Sequence, residues 1–250
     1  MQIDPSHPRF KSLKIREKLV WGIKKGLTHP AGLLAHGRGE AFDYLLGEKT
    51  HDFAKKAIEA AGAYLISAKN PIISVNGNTS ALCPNELVGL AKLLNCKIEV
   101  NLFHYSKKRV VIIENYLSRV DSKVILRSNK SSKIIFPDIA SWRKIMLKEG
   151  IASADVVFVP LEDGDRAEAL IRLGKKVITV DLNPLSRTAQ TATVTIIDNL
   201  IRLLPLLIKK IKKLKMVDAD NLKSLTINYN NKTCLNNSLK LISDRLKKSG

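Results

Sequence analysis

Cysteine is scarce in this 250-residue chain. Cys83, Cys96 and Cys234 are widely spaced, and none forms a C-x-x-C pair. That excludes a disulfide framework and a cysteine zinc site, and it fits a reducing cytoplasm. Long apolar runs are missing too. None reaches the roughly 20 residues that a membrane-spanning helix needs. The opening MQIDPSHPRFKSL has no apolar core of the kind a secretory signal carries. No membrane is therefore expected among the partners. Aromatic residues make up only 5% of the chain, which leaves little for stacking on bases, and no RNP, KH or zinc-finger pattern is present. Acidic residues are outnumbered, 23 against 42 Lys and Arg, for a net charge of +19. Residues 201–250 carry twelve of those cations against three acids. The cations are mostly lysines spread over helix faces, so the reading is a solvated basic surface suited to small anions; no nucleic acid is expected. Five histidines form no H-x-x-x-H pair, and no G-x-S-x-G elbow appears. Covalent catalysis and histidine-held metal have no candidate.

What is present is a regular alternation. Short β-branched runs over 72–75, 97–102, 124–126, 155–160, 177–180 and 194–197 read as six buried strands. Helical patterns separate most of them, at 84–94, 106–117, 139–148 and 166–173. That spacing predicts an α/β fold with a mostly parallel sheet and helices on both faces. Helices are also expected over 9–25 and 52–69. The amphipathic run 200–215 sets Leu200, Leu203, Leu204, Leu207, Ile208, Ile211 and Leu214 against five lysines, and is expected to pack on its own sheet or on a partner subunit. Residues 225–229 alternate like an edge strand, and a short helix closes the chain. The expected organisation is one α/β domain over 1–204 with a basic helical appendage over 205–250.

Polar groups collect where the strands stop, and open α/β sheets bind ligands just beyond the carboxyl ends of their strands. The strand at 177–180 stops on Asp181-Leu182-Asn183-Pro184, and the next stops on Asp198-Asn199. Between them Ser186-Arg187-Thr188 offers a cation and two hydroxyls, expected in a loop. Carboxylates for a ribose and a cation for phosphate point to a nucleotide, although Asx turns alone would explain the acids and amides. Gly37-Arg38-Gly39 is expected to open a helix whose amino end, with Arg38, attracts an anion. Arg16 stands on the edge of the stripe of the 9–25 helix. Asn76-Gly77-Asn78, between a strand and a helix, reads as a phosphate cradle. Glu162-Asp163-Gly164-Asp165 could hold magnesium or an amine, or simply cap a helix. A nucleotide sensor without chemistry, or a nucleic-acid binder using the lysine-rich helix, competes with an enzyme at this point.

Six longer motifs resolve the choice. PSHPRF at 5–10, LLAHGRGEAFDYLLGEKT at 33–50, ISVNGN at 73–78, IEVNLFH at 98–104, PLEDGDRAEAL at 160–170 and VDLNPLSRTAQTATVTIIDNL at 180–200 resemble archaeal phosphopantothenate synthetase, also called 4-phosphopantoate–β-alanine ligase. The resemblance spans residues 4–204. It implies a Rossmann-like fold, a homodimer, and use of ATP with Mg²⁺ to join 4-phosphopantoate to β-alanine through an acyl-adenylate, releasing AMP and pyrophosphate on the way to coenzyme A. The ATP contacts it implies are Arg16, Arg38, Asp181, Leu182, Asn183, Arg187, Thr188, Asp198 and Asn199. Placing the substrate phosphate at Asn76–Asn78, and catalytic roles at Arg38, Glu162 and Asp163, follows from motif position.

Overall fold

In a computed structural model, residues 3–139 and 141–249 are described. Five strands form one parallel sheet: β1 (Pro71–Val75), β2 (Lys97–Val100), β5 (Val156–Pro160), β6 (Lys176–Val180) and β7 (Val194–Ile196), in the order β2-β1-β5-β6-β7. The chain first adds β2 on one side of β1 and then crosses to lay β5 on the other. Strand order therefore reverses between β1 and β5, and the crevice above that point is where such sheets bind ligands. The α/β class, with a mainly parallel sheet between helices, is the architecture expected from the sequence.

Alternation within the strands builds two cores. Ile73, Val75, Val156, Phe158, Ile178 and Val180 face a large helical layer. Ile72, Val157, Val159 and Val177 face a smaller one. The large layer includes α3 (Asp52–Ser67), α5 (Pro84–Leu94), α6 (Lys107–Ser118), α9 (Leu200–Leu214) and α11 (Asn231–Ser249). The other face is covered by α7 (Gly164–Arg172) and the antiparallel hairpin of β3 (Lys133–Ile135) with β4 (Ile145–Leu147). On α9 the side chains of Leu203, Leu204, Leu207 and Ile211 are fully buried, each contributing about 1.5–3 kcal/mol. Cys234, Leu235 and Ile242 of α11 extend the same core, so the chain beyond residue 204 packs against the sheet's own helical layer. At the outer edge, Asn231 accepts the Thr195 N–H of β7 at 2.8 Å through Oδ1 and donates to Ala189 O through Nδ2.

Four expectations are corrected. The helix predicted over 139–148 is not formed: residue 140 lies outside the described residues, 142–144 make a 3₁₀ turn and 145–147 are strand β4 of the hairpin, fixed by Glu99 of β2, which accepts the N–H groups of Leu147 and Ile151, and by Asn101 just beyond it, which donates to Ile145 O. The predicted strand over 124–126 is a 3₁₀ turn followed by one isolated bridge between Ile98 and Ile125. Residues 225–229 do not form an edge strand, because Leu222 and Leu225 turn onto Ala63 as part of α10 (Ala219–Ile227). Gly37-Arg38-Gly39 does not open a helix. The helix α2 begins at Pro30 and runs to Leu46, so the Gly37–Gly39 amides lie within the helix instead of forming an anion cradle.

Candidate active site

A cleft of about 420 Å³ opens at the carboxyl ends of β1 and β5, within the range of small-molecule sites. Helix amino ends converge on it. His29 caps α2, Asn76 caps α4 (Gly77–Leu82), Asp163 occupies the cap position of α7 and Asn199 caps α9, and all four residues line the cleft. Each end contributes a partial positive charge and free N–H groups. Two guanidinium groups add full charges, neither of them in a close ion pair with a described carboxylate. Among the described residues Arg38 makes no hydrogen bond or close ion pair, and Arg109 donates to the carbonyls of His104 and Leu27, at 3.0 and 2.9 Å. The cleft is built to receive anions.

Its residues fall into two groups, each held together by its own contacts. In the first, the Asn76 side chain accepts the Thr79 N–H and its Nδ2 donates to Leu161 O, which fixes the turn out of β1. Asn78 donates to Gly32 O at 2.8 Å. Two glycines allow this closeness: a Cβ on Gly77 would stand 2.1 Å from Leu27 O, and one on Gly32 would stand 2.3 Å from Asn78 Oδ1. The rings of His29 and His104 stack with centroids 4.2 Å apart beside Arg109. Burial, then the neighbouring His104 and Arg109, hold the His29 pKa below its ordinary value. Its Nδ1 accepts the Ala31 N–H at 3.2 Å, so neutral His29 presents Nε2–H as a donor.

The second group gathers Arg38, Gly39, Leu182, Asp198 and Asn199. Asp198 is buried and accepts from Thr50, Arg202 and its own neighbour's N–H. Asn199 caps α9 through Oδ1 and donates to Asp43. Arg202 bridges Asp43 and Asp198. Gly32 and Gly39 stand on the same helix, seven residues apart, which separates the two groups by about 10 Å.

Other residues marked in the sequence stand behind this surface and do not line it. Asp181 is half-buried beneath the loop it shapes, accepting the Asn183 N–H and the Ser186 hydroxyl; burial raises its pKa while those donors and Arg38 oppose the rise. Ser186, Arg187 and Thr188 are not a loop: Ser186 caps the short helix α8 (Arg187–Thr191). Arg187 is exposed and pairs with Glu168, and Thr188 donates to Glu162 O. Arg16 of α1 (Phe10–Lys24) pairs with Glu40 at 2.8 Å, one turn from His36, which does line the cleft. Glu162 does not face the cleft either. Its carboxylate is fully buried between Arg143 and Arg166, which corrects the expectation that it handles an incoming amine. Asp163, next to it, does line the cleft. The thiols offer no nucleophile, since burial pushes Cys83 and Cys96 up to about 12 and Cys234 up to about 11.

Sequence reasoning passed over His29, His104, Arg109 and Arg143 as site residues. Pro30 was the available signal for one of them, because proline favours the first helical position and would have marked His29 as a cap. Nothing local marks Arg143, which the hairpin brings in from far along the chain.

The family model for phosphopantothenate/pantothenate synthetase matches residues 53–245. A 4-phosphopantoate–β-alanine ligase of Thermococcus onnurineus is 48% identical over 248 residues, covering 99% of this chain and 95% of its own length. The ligase of the same description from Thermococcus kodakarensis is 47% identical, with 98% and 94% covered. That from Methanosarcina mazei is 45% identical, with 98% and 96% covered. With the family model matching residues 53–245, most of the chain, and relatives aligned almost end to end, the chain belongs to the phosphopantothenate/pantothenate synthetase family.

Proposed function

We propose that the protein is a 4-phosphopantoate–β-alanine ligase that uses ATP and releases AMP and pyrophosphate. The observation that carries this reading is the cleft itself, in which four helix amino ends and two guanidiniums not held in close ion pairs among the described residues form two anion-attracting groups about 10 Å apart. A ligase whose acid substrate and nucleotide are both phosphorylated needs two such groups. Arg38, Leu182, Asp198 and Asn199 fit the nucleotide, with Arg16, Asp181, Asn183, Arg187 and Thr188 supporting from behind. Asn76, Gly77 and Asn78, with Arg109, fit the phosphate of the acid.

Among the described residues no group of three or more His, Cys, Asp or Glu side chains forms a metal cage. Magnesium would be held mainly by the nucleotide's own phosphates and would supply charge neutralisation there. The chemistry runs in two steps. A carboxylate oxygen of phosphopantoate attacks the α-phosphorus, the bond to the bridging oxygen breaks, and pyrophosphate leaves with the electron pair. The β-alanine nitrogen then attacks the acyl carbon. A C–N bond forms, the C–O bond to AMP breaks with its electrons leaving on AMP, and the two protons shed by the ammonium end in solvent. Arg38 acts by holding charge in place. The same reading has the protein as a cytoplasmic homodimer.

One incubation with ATP, 4-phosphopantoate and β-alanine tests the function. AMP formed only when all three are present supports it, ADP would refute the adenylate route, and no nucleotide turnover would refute the ligase. Arg38→Ala should lose at least about 10²-fold in kcat/KM for ATP while its melting temperature stays put, since no protein partner is lost. Near-normal kinetics would remove Arg38 from the nucleotide site.

A further inference from the structure

The wall that α2 gives to the cleft is almost bare. Ala31, Gly32, Ala35, His36, Arg38 and Gly39 line it. Gly32, Ala35, His36 and Gly39 recur at helical spacing on one face, and His36 is the one among them with a side chain beyond Cβ. The two glycines join that face to the two anion-attracting groups. A Cβ on Gly32 would strike Asn78, and one on Gly39 would stand 3.7 Å from the Leu182 side chain. His36 lies between them on the helix, about 6 Å along the axis from Gly32 and about 4.5 Å from Gly39. With the acid's phosphate at one end and AMP at the other, the acyl carbon that joins them falls beside His36.

The ring is free to act there. Among the described residues His36 makes no hydrogen bond, so neither ring nitrogen is committed to the protein. Burial holds its pKa below the ordinary 6.5, which leaves the ring neutral at neutral pH with one nitrogen able to accept a proton. Glu40 and Asp43 on the same helix favour the protonated ring once it forms, while Arg16 of α1 opposes it. Other groups of the cleft are worse suited. His29 has a ring nitrogen tied to the Ala31 N–H, and its charged neighbours are His104 and Arg109, where His36 has two acids. Asp163 is paired with Arg143, and Asp198 with Arg202. One step of the ligase reaction needs a base, because β-alanine arrives as an ammonium whose nitrogen has no lone pair until a proton leaves. We propose that His36 is the general base that takes this proton from the amine beside the acyl carbon. The N–H electrons stay on nitrogen as the lone pair that attacks the acyl carbon, and AMP leaves with the C–O electrons. The imidazolium returns its proton to solvent. The second proton leaves unaided, since a nitrogen bonded to the tetrahedral carbon is strongly acidic. This role rests on the ligase reading and deepens it by naming the group that readies the amine.

The test follows a single turnover of the enzyme-held activated acid with β-alanine and with hydroxylamine. The hydroxylamine nitrogen is uncharged at neutral pH and already has its lone pair. His36→Gln and His36→Ala are compared with wild type, beside amine-free ATP–pyrophosphate exchange and melting curves. Transfer to β-alanine should slow at least about 10²-fold in both variants, while transfer to hydroxylamine and exchange slow less than about threefold. Both variants should melt with the wild type, since His36 has no hydrogen bond to the described residues to lose. The pH profile gives a second reading. Wild-type transfer to β-alanine should hold a plateau above the ring's pKa and fall below it, whereas in the variants it should climb steadily with pH as free amine does. Equal slowing with both amines, exchange lost in step with transfer, or a variant that keeps the plateau would overturn the role. Wild type that forms amide without exchange would sink the adenylate step alone, and the comparison of amines would still judge His36. No amide from β-alanine at all would overturn the ligase reading and this role with it.

Discussion

Glu99 offers the sharpest test of the fold's electrostatics. Its carboxyl is 1% exposed, and burial pushes its pKa from 4.5 up to about 7, against the opposing N–H groups of Ile151 and Leu147 and the charge of Arg166. Between those two values the folded chain holds a proton that the unfolded chain has released. The unfolded state binds fewer protons in that window, so stability falls as pH rises from 4.5 to about 7 and levels off above it. At about 1.4 kcal/mol per pKa unit, the full loss is about 3 kcal/mol. Glu99→Gln removes the titration. It also replaces one of the two acceptor oxygens with an amide nitrogen, a pH-independent cost of about 1–3 kcal/mol. Denaturant unfolding of both proteins from about pH 5 to about pH 8 isolates the residue, because every other titrating group cancels in the difference. The wild type's advantage over the variant should shrink by about 2–3 kcal/mol across that range. Parallel curves would refute the reasoning and show that Glu99 is ionised in the folded chain throughout. Hydrogen exchange at Leu147 and Ile151 gives a local reading of the same event, since Glu99 accepts both amides.

Three further substitutions probe other parts of the structure. Gly77→Ala drives a Cβ to 2.1 Å from a backbone oxygen and should cost at least about 2 kcal/mol, read as a fall of several degrees in melting temperature. Gly89→Ala, in α5 with nothing within 4 Å of the added Cβ, should instead stabilise by about 0.5–1 kcal/mol; a loss there would show that the helix is set by more than propensity. Glu162→Gln leaves two buried guanidiniums without their shared carboxylate, so unfolding free energy should drop by about 3–5 kcal/mol. A neutral result would mean that the arginines find other partners.

The strands of the main sheet were legible because β-branched runs between polar stops leave few alternatives. What failed was decided by distant partners. Ile145–Leu147 reads as helix in isolation, but Lys133–Ile135 pairs with it and Glu99 and Asn101 clasp it from the end of β2. Residues 225–229 alternate as a strand would, yet Leu222 and Leu225 have an apolar seat on α3. Gly37 and Gly39 read as the start of a helix because glycine disfavours helix interiors, while Pro30, which marks the true start of α2, stands seven residues earlier. For the candidate site, motif order pointed to strand ends around which the cleft opens. It did not separate residues in the cleft wall from those that shape the loops behind it. Asp181 and Asp198 look alike in sequence, and only the fold lays one beneath its own turn and the other against the cleft.

The seal on the outer edge of β7 carries a consequence for synthesis. The Thr195 amide is paired by Asn231, a residue made 36 positions later that opens the last helix. At about 5–20 residues per second the ribosome needs a few seconds to bring Asn231 into being after Thr195. During that interval the nascent sheet exposes an unpaired strand edge, the feature most prone to recruit other chains. Chains truncated before Asn231 would keep that edge open permanently. The helix that begins at Asn231 therefore acts as a late cover for this edge, which stays open until that stretch has been made.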